Sequence, residues 1–540
     1  MSYHKNIPTT RKNKISSDKK KHHKKMKVIK INPADNVAVA IEPLKKGEKV
    51  SIEGMEITVN DDVPAGHKVL LTALGEGENV IKYGYPIGRL KEAHRRGDFV
   101  CHDNIRTNLS GLLDYEYNPV DKSELTNPAY AEWFANERLT FKGYRRKNGD
   151  VGIRNEVWIV PTVGCVNGVV SQLAKRLEKE AEDDGSELSG MLQEGAEKLR
   201  VVAYPHNYGC SQLSDDHENT RKVLRDLVLH PNAGAVLVVG LGCENNQPDK
   251  FEEMLGDYDH ERIRFMVSQK VQGDEVEEGM KILRELYAKA ASDKREDVPL
   301  AELKVGLKCG GSDGFSGITA NPLLGVLSDF IVAQGGTTVL TEVPEMFGAE
   351  TILMNRCENR QLFEQTVSLV NDFKQYFISH GEPVGENPSP GNKAGGISTL
   401  EEKALGCTQK CGKSAVKGVL KYGERISVRG LNLLSAPGND LVASTALAAA
   451  GCHIVLFTTG RGTPFGTFVP TLKVSTNTAL AANKPTWIDF NAGTIVEGET
   501  MKEAFRRFVE KVIAVASGEP TWNEKKDYQE IAIFKNGVTL

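Results

Sequence analysis

Three cysteines follow the same short phrase, an apolar run that closes on Gly-Cys. The runs VWIVPTVGC, VVAYPHNYGC and AVLVVGLGC end at Cys165, Cys210 and Cys243. Continuous β-branched runs bounded by glycine are typical of buried parallel strands, and the amphipathic stretches 169–179 and 219–228 between them are typical of helices. Because ligands bind beyond the carboxyl ends of such strands, we expect the three thiols to gather at one sheet edge and to mark an active site.

Further side chains that can bind ligands or transfer protons lie in turns. His206 belongs to the PHNYGCSQ segment of the second Gly-Cys turn. His67 enters a strand after a turn, and His102 and Asn104 belong to a Cys-His-Asp-Asn segment. Lys82 lies in a Lys-Tyr-Gly turn. A turn histidine is often only solvated surface, but the combination predicts a surface that binds a polyol or a carboxylate.

The C-terminal part repeats the pattern of a strand followed by a turn. One strand runs into Cys309 and a glycine-rich turn whose amides could cradle an anion, although its spacing matches no nucleotide-binding motif. Another strand ends near Glu342 and Glu345. Arg461, in a Gly-Arg-Gly turn at a strand end, is suited to a substrate carboxylate. The Cys-x₃-Cys pair in 407–411 lacks a second pair, so we expect no structural zinc there.

The elements that must position these residues fall into successive regions. Residues 1–25 are basic and polar, which predicts a disordered extension. Residues 26–112 form short alternating runs separated by turn residues, which predicts a compact β module. Residues 113–139 lack periodicity and are interpreted as a linker. Residues 140–297 and 298–540 predict two α/β domains with mainly parallel, Rossmann-like sheets, so the fold class is α/β with a small N-terminal β module.

The composition limits the classes of function. The chain has 540 residues, of which 40% are hydrophobic and 26% charged, and a net charge of −4. This balance is ordinary for a globular protein and predicts neither a nucleic-acid partner nor a membrane segment. Nine scattered cysteines are too few for a disulfide scaffold. We therefore expect a cytoplasmic enzyme, and symmetric homodimers are common in that class.

A series of phrases, in order along the chain, resembles one enzyme family. They include GHK, VIKYGYPIG, GDVGIRNE, PTVGCVNG, YGCSQL, CGGSDGFSGITANP, LTEVPEMFGAE, GNKAGGISTLEEKALGCTQK, APGND and GRGTPFG. From about Met26 to Leu540 the chain resembles the altronate/galactarate dehydratase family. The resemblance implies an N-terminal β-clip (SAF-type) module, an iron or manganese requirement, and loss of water from D-altronate to give 2-dehydro-3-deoxy-D-gluconate in hexuronate breakdown.

Dehydration of a 2,3-dihydroxy acid places definite demands on a site. The weakly acidic C2 proton must be removed and the C3 hydroxyl expelled, which needs an electrophile, a base and an acid. A divalent metal can serve as the electrophile, and histidine or lysine is the usual proton carrier. We therefore propose His67 and His102 for binding or proton transfer, with Lys82, Asn104 and Arg461 as substrate-binding residues.

Three interpretations of the metal remain open. Cys165, Cys210 and Cys243, with His206 beside them, could hold an iron–sulfur cluster with an open iron, as in some hydro-lyases. A single Fe²⁺ or Mn²⁺ could instead bind imidazole and oxygen ligands from His67, His102, His206 and Glu342. In the third interpretation, the Gly-Cys turns only require small side chains.

Two other functions also remain open. A related sugar acid such as galactarate could be the substrate, because discrimination between epimers depends on the placement of individual hydroxyl partners. A non-catalytic protein that binds a sugar acid is the other alternative, since fold alone does not determine function. The density of proton carriers and ligands at strand ends favours the enzyme.

Overall fold

The computed structural model describes residues 26–125, 139–385 and 387–540. The predicted extension 1–25, and residues 126–138 of the predicted linker, lie outside these ranges. The described chain forms a small β-rich module followed by two α/β domains, which confirms the predicted fold class. A search of the described helices finds none with the length and apolar character needed to cross a lipid bilayer.

Short antiparallel strands build the N-terminal module. They are β1 (Val28–Ile29), β2 (Val37–Ala40), β3 (Lys49–Ile52), β4 (Met55–Thr58), β5 (Lys68–Leu70), β6 (Asn79–Lys82), β7 (Tyr85–Leu90), β8 (Phe99–Val100) and β9 (Ile105–Arg106). The orders are β1-β2-β5-β8 and β6-β7-β9, with β3-β4 as a separate hairpin. Tyr83 and Gly84, with φ of 61° and 80°, form the two-residue turn between β6 and β7. Positive φ at both positions matches the twist of a hairpin, so Tyr83 lies in a tight turn at the end of the β6–β7 hairpin.

The first α/β domain has a four-stranded parallel sheet in the order β13-β12-β14-β15. Its elements are β10 (Thr140–Arg145), β11 (Val151–Gly152), β12 (Glu156–Pro161), α1 (Asn167–Glu182), α2 (Glu187–Met191), β13 (Val201–Ala203), α3 (Ser214–Val228), β14 (Ala233–Gly240), α4 (Pro248–Leu255), β15 (Ile263–Val267), α5 (Glu275–Ala290) and β16 (Glu296–Pro299). Every residue of β12 and β14 is buried, as expected when helices cover both faces of a parallel sheet. A turn at Asn148-Gly149 joins the antiparallel strands β10 and β11.

The second α/β domain has a seven-stranded parallel sheet in the order β19-β20-β18-β17-β21-β22-β23. Its elements are β17 (Lys304–Cys309), α6 (Ala320–Ala333), β18 (Thr337–Leu340), α7 (Glu350–Met354), α8 (Arg360–Ser379), α9 (Pro390–Ala394), α10 (Leu400–Thr408), β19 (Val416–Leu420), β20 (Gly430–Leu434), α11 (Asp440–Ala449), β21 (Ile454–Thr459), β22 (Thr471–Ser475), α12 (Thr478–Asn483), β23 (Phe490–Asn491), α13 (Met501–Ala516) and α14 (Trp522–Lys525). Strand order reverses between β17 and β21, and such a switch point is where open α/β sheets bind ligands.

Buried contacts join the units. Trp158 of the first α/β domain meets Phe468 of the second edge to face, with ring centroids 5.7 Å apart. The described part of the predicted linker lies against the second α/β domain, where the Tyr117 hydroxyl donates to the Cys357 carbonyl at 2.7 Å. The β module also rests on this domain, so closely that a Cβ on Gly314 would lie 1.9 Å from the Gly66 carbonyl oxygen. Gly314 therefore has no room for a side chain, and the module covers the carboxyl edge of the larger sheet.

Candidate functional site

Lysines, carboxylates and thiols fill the space beyond the ends of β17 and β18. The Lys308 ammonium group, at the end of β17, donates to Glu342, to Asp440 at 2.9 Å and to the Cys309 carbonyl at 2.6 Å. The Lys410 ammonium donates to Glu342 at 2.9 Å and to the Cys309 sulfur at 2.8 Å. Lys308, Glu342 and Lys410 are completely buried. Glu342 thus links two lysines in the protein interior.

Glu342 holds this position through an unusual backbone conformation. Its φ is 69°, in the left-handed region, which costs a non-glycine residue about 1–2 kcal/mol. The conformation turns the carboxylate toward β17, where it accepts from the Cys309 backbone N–H at 3.1 Å. Strain of this kind persists where the surroundings enforce it and is concentrated at functional sites.

Two thiols and a carboxylate meet beside these lysines. Cys309 and Cys407 have their sulfur atoms 3.3 Å apart. Oε2 of Glu345 lies 3.3 Å from the Cys309 sulfur and 3.1 Å from the Cys407 sulfur. Oε1 of Glu345 accepts from the Lys403 ammonium at 2.7 Å. All four side chains are buried, and the two sulfurs with the carboxylate form a group whose atoms are close enough to hold one metal ion.

The lysines determine the charge states in this cluster. Burial alone would raise the pKa of Glu345, but Lys403, Lys308 and Lys410 outweigh it and hold that pKa below its usual range. The hydrogen bond with Cys309 and burial both raise the pKa of the Cys407 thiol well above its ordinary value. The cluster therefore combines an ionised carboxylate with a protonated Cys407.

The β module contributes a second buried ionic group. Glu402, at the start of α10, accepts from Lys68 at 2.9 Å and from Lys82 at 2.7 Å. Burial disfavours the charged carboxylate, yet the two ammonium groups hold the pKa of Glu402 at about 2. Burial lowers the pKa of Lys68 to about 8, whereas the attraction of Glu402 overcomes burial and raises the pKa of Lys82. Two lysines share one carboxylate, so the group has a net charge of +1 when both are protonated.

A small cavity separates the two ionic groups. Lys82, Tyr83, Ser312, Lys403 and Cys407 are among the residues that line it. The Ser312 hydroxyl is buried and has no hydrogen-bond partner among the described residues. The Lys82 ammonium group and the unsatisfied Ser312 hydroxyl are among the polar groups at its walls, and they suit an anionic or hydroxylated group of a ligand.

Of the predicted residues, Lys82 lines this cavity, whereas His67 and Arg461 are not among the described residues that line it. His67 is buried next to Lys68, its ring 5.4 Å from that of Phe99, and burial lowers the pKa of its imidazole. Arg461 is exposed, with its backbone N–H bonded to the Gly311 carbonyl at 2.9 Å in the glycine-rich turn after β17. Arg461 thus lies at the edge where the strand order reverses, because its turn follows β21 and contacts the turn after β17.

Two other predicted residues have local roles on the module. The Asn104 side chain accepts from the Cys101 N–H at 2.9 Å and donates to the Phe99 carbonyl at 2.7 Å, so both of its polar atoms hold a turn. His102 is exposed, and its Nε2 lies 3.4 Å from the Oδ1 atom of Asp103. With Cys101 and Asp103 it forms a second group of potential ligand atoms, at the surface of the module.

The three Gly-Cys turns follow neighbouring strands, as the sequence predicts. Hydrogen bonds join the turns: the Gly164 N–H donates to the Tyr208 carbonyl at 3.0 Å, and the Asn246 N–H to the Gly209 carbonyl at 2.9 Å. Cys165, Cys210 and Cys243 are free and exposed. Among the described residues, the groups close enough to hold a single ion do not include them.

His206, predicted as a ligand beside these thiols, supports the turn instead. Its Nε2 lies 2.8 Å from the Pro161 carbonyl, and its Nδ1 accepts from the Tyr208 N–H at 3.1 Å. Burial lowers the pKa of His206 to about 4. Because both ring nitrogens have backbone partners, this imidazole offers no free nitrogen to a metal.

Several residues of the buried site escaped the sequence analysis, namely Lys68, Lys308, Glu402, Lys403 and Lys410. One signal was available: Lys68 begins a strand that is otherwise apolar, and Lys308 lies within the apolar run of β17. A lysine at such a position requires a partner. The partners come from α10 and the turn after β18, so only the folded chain identifies them.

Comparison with known proteins covers nearly the whole chain. Residues 26–108 match the altronate/galactarate dehydratase SAF domain, 143–291 the second domain of D-galactarate dehydratase/altronate hydrolase, and 300–539 the C-terminal domain of D-galactarate/altronate dehydratase. Altronate dehydratase of Bacillus subtilis (strain 168) is 56% identical over 513 residues, which are 95% of this chain and 99% of that protein.

Two proteins of Escherichia coli (strain K12) are also similar. Its altronate dehydratase is 56% identical over 515 residues, 95% of this chain and 100% of that protein. Its galactarate dehydratase (L-threo-forming) is 34% identical over 520 residues, 94% of this chain and 96% of that protein. With all three domains present in order, the chain belongs to the D-galactarate/altronate dehydratase family.

Proposed function

We propose that this protein is a hydro-lyase that converts D-altronate into 2-dehydro-3-deoxy-D-gluconate and water, a step of hexuronate breakdown. The observation that carries the proposal is the 56% identity to two altronate dehydratases over 95% of the chain, against 34% to the galactarate dehydratase. The cavity under the β module is the proposed site, because its charge and polarity suit a hydroxylated carboxylate.

The Lys68–Glu402–Lys82 group is suited to the substrate carboxylate. Its net charge of +1 follows from two buried ammonium groups on one carboxylate. The Lys68 ammonium already donates to both oxygens of Glu402 and to the Gly396 carbonyl. Lys82, at the cavity wall, donates to Glu402 alone among the carboxylates. In our proposal Lys82 therefore binds the substrate carboxylate and places C2 and C3 in the cavity.

His67 is the proposed proton carrier for C2. A base must be neutral before it accepts a proton, and burial keeps the pKa of His67 below its ordinary value. We expect His67→Gln to lower kcat at least tenfold with little change in KM, whereas His260→Gln, at an exposed position of the first α/β domain, serves as the matched control. Equal losses in both variants, or full activity of His67→Gln, would reject this role.

We further propose that the activity depends on Fe²⁺, with Mn²⁺ as a substitute. A divalent ion, when bound, supplies an electrophile that stabilises negative charge developing on the carboxylate and the departing hydroxyl. The buried group of two thiols and one carboxylate offers ligands for it. An iron–sulfur cluster on Cys165, Cys210 and Cys243 is the competing assignment, supported by their position at neighbouring strand ends. Visible absorption with acid-labile sulfide in anaerobically purified protein distinguishes the two.

The primary test is an assay of the protein with Fe²⁺ on D-altronate and on galactarate, measuring formation of the 2-dehydro-3-deoxy acid. We expect kcat/KM on D-altronate to exceed that on galactarate at least tenfold, about 1.4 kcal/mol of discrimination. Higher activity on galactarate would reassign the substrate. Calorimetric binding of D-altronate without any product would reject the enzyme in favour of a sugar-acid-binding protein.

Lys82→Met tests the carboxylate site directly. The variant leaves Lys68 and Glu402 as a neutral pair, so the fold keeps its ionic contact while the excess positive charge is lost. A hydrogen bond to a charged group contributes about 1.5–3 kcal/mol, and we expect KM for D-altronate to rise at least tenfold. Lys49→Met, an exposed lysine of the same module, is the control. An unchanged KM in Lys82→Met would place the carboxylate elsewhere.

The proposal also covers the cellular compartment and the oligomeric state of the protein. All nine cysteines are free, which fits the reducing cytoplasm that we propose for this enzyme. We also propose a homodimer, the commonest symmetric assembly of such enzymes. Sedimentation at several protein concentrations tests the assembly, and cell fractionation tests the location.

A further inference from the structure

We propose that Cys309, Glu345 and Cys407 are the ligands of the divalent iron. The inference rests on the proposed function for the identity of the ion and deepens it by assigning the site. It places the ion in the buried second α/β domain rather than at the three exposed Gly-Cys turns.

The three ligand atoms already converge. The two sulfurs lie 3.3 Å apart, and Oε2 of Glu345 lies 3.3 Å from the Cys309 sulfur and 3.1 Å from the Cys407 sulfur. Each of the three residues is at most 4% exposed. Oε2 of Glu345 accepts from both thiols, and a cation that replaced the two thiol protons would lie within reach of all three ligand atoms.

The ligands come from three separate elements that meet at the switch point of the sheet. Cys309 ends β17, Glu345 lies in the turn after β18, and Cys407 lies on α10. Rigid elements place ligands more precisely than loops do. The cavity with Lys82 opens beside Cys407, so an ion held by this group would adjoin the proposed substrate site.

A second set of contacts orients the ligands. Lys403 occupies Oε1 of Glu345 at 2.7 Å and leaves Oε2 for the two sulfurs. Lys410 contacts the Cys309 sulfur at 2.8 Å and is itself paired with Glu342. Outer contacts of this kind fix the rotamers of metal ligands. They also explain why ammonium groups surround the site without leaving it positively charged.

The charge of the cluster balances with a divalent ion. Lys308, Lys403 and Lys410 supply three positive charges, and the carboxylates that they contact, Glu342, Glu345 and Asp440, supply three negative charges. Two thiolate ligands would add two negative charges, which a divalent cation balances. A monovalent or trivalent ion would leave one uncompensated charge.

The chemistry of the donors selects among divalent ions. Thiolates are soft ligands that prefer iron to magnesium or calcium, and the usual order of affinity places Fe²⁺ above Mn²⁺. We therefore expect Mn²⁺ to bind this group more weakly than Fe²⁺.

Titration of metal-depleted full-length protein with Co²⁺ tests the assignment without an activity measurement. Cobalt bound to thiolate gives sulfur-to-metal charge-transfer absorption. We expect the wild-type protein to develop this band at one Co²⁺ per chain. Cys407→Ser should reduce the band and weaken binding at least tenfold. Glu345→Gln should also weaken binding, while it retains the sulfur band.

Two control variants each remove a thiol outside the proposed metal site. Cys357→Ser removes a buried thiol that contacts Thr366 outside the group, and Cys210→Ser removes an exposed one. Both should bind Co²⁺ as the wild type does. Unchanged binding in Cys407→Ser, or loss of binding in Cys210→Ser, would overturn the proposal, and the second result together with acid-labile sulfide would move iron to the Gly-Cys turns.

Lys403→Gln provides an additional variant in case Cys407→Ser does not fold. It removes no ligand atom but frees Oε1 of Glu345, and loss of an orienting contact of this kind typically weakens binding about 10–100-fold. Wild-type affinity in Lys403→Gln would contradict the proposed orientation of Glu345. The outcomes also separate the two proposals: expected Co²⁺ binding without turnover of D-altronate rejects only the function, whereas Fe²⁺-dependent turnover by wild-type protein together with unchanged Co²⁺ binding in Cys407→Ser rejects only the metal site.

Discussion

The two parallel sheets of this protein have similar carboxyl edges with opposite environments. The edge of the first α/β domain presents Cys165, Cys210 and Cys243 in hydrogen-bonded turns, and all three thiols are exposed. The edge of the second is covered by the β module, and its thiols Cys309 and Cys407 are buried among lysines and carboxylates. Topology places reactive residues at both edges, but only the covered edge excludes water. Exclusion of water strengthens every charge interaction at the second edge, which is why we place the chemistry there.

The largest effect on stability should follow the loss of the Glu402 carboxylate, which pairs with two lysines of the β module. Glu402→Gln leaves Lys68 and Lys82 buried without a countercharge, and breaking a buried ion pair costs about 3–5 kcal/mol. We expect a decrease of that size in the free energy of unfolding, measured with urea. The control is Glu364→Gln, which removes an exposed pair with Arg360 and should cost less than about 0.5 kcal/mol. A similar, small decrease in the free energy of unfolding of both variants would mean that the carboxyl edge of the second α/β domain is accessible to water.

A smaller loss of stability should follow when a methyl group is added at a glycine that has no free space around it. A Cβ on Gly317 would lie 2.3 Å from the Tyr83 hydroxyl, so Gly317→Ala should force the hairpin outward at a cost of about 1–3 kcal/mol. Gly168, in α1 of the first α/β domain, has no atom within 4 Å of the equivalent position. Gly168→Ala should therefore stabilise the protein by roughly 0.5–1 kcal/mol. Thermal unfolding of both variants measures the contrast, and equal effects would contradict the close fit of the hairpin.

The covered edge should also respond to pH through Lys68. Because burial lowers the pKa of Lys68 to about 8, the Lys68–Glu402–Lys82 group loses a proton as pH rises through 8, and its charge falls from +1 to zero. We expect KM for D-altronate to rise above pH 8. The profile of Lys82→Met, whose group starts at zero charge, should have a different shape, and identical profiles would contradict this origin.

The free energy of unfolding should rise with pH over the range in which substrate binding weakens, so the two effects of Lys68 can be distinguished. The folded pKa of Lys68 lies below its ordinary value of 10.5. Its favourable contribution to folding is therefore complete above pH 10.5 and is lost as pH falls toward 8. A rise in KM above pH 8 thus cannot be attributed to unfolding through this lysine, and urea titrations at pH 7 and pH 9 provide the check.

The least perturbing comparison is one of thiol reactivity. We expect Cys165, Cys210 and Cys243 to be alkylated quickly in the native protein because they are exposed, and the buried thiols Cys309 and Cys407 to react only after denaturation. Mass spectrometry of peptides after a short exposure to iodoacetamide measures this difference. Rapid alkylation of Cys309 in native protein would show that the covered edge opens to solvent.

Much of the fold was predictable because it depends on local pattern. Continuous apolar runs identified β12 and β14, which are buried along their whole length. The positions of the three Gly-Cys turns at neighbouring strands also followed from pattern, since parallel strands end at a common edge.

The site was less predictable, and the histidines show why. His206 has both ring nitrogens on backbone groups, and nothing in its neighbouring residues distinguishes that role from metal binding. Lys82 was identified as a substrate-binding candidate, but its partner Glu402 lies 320 residues away along the chain. The roles proposed for His67, Lys82 and Arg461 remain predictions that the variants above test.

The sequence by itself determined the order of the three units, the parallel sheets and the family to which the chain belongs, because these depend on periodicity and on motifs within short stretches. Only the tertiary structure decided which edge is buried, which lysines share a carboxylate, and that Cys309, Glu345 and Cys407 meet. The physical reason is that burial and charge pairing depend on contacts between distant segments. A cysteine at the end of a strand is exposed in the first α/β domain and buried in the second, according to what covers the edge.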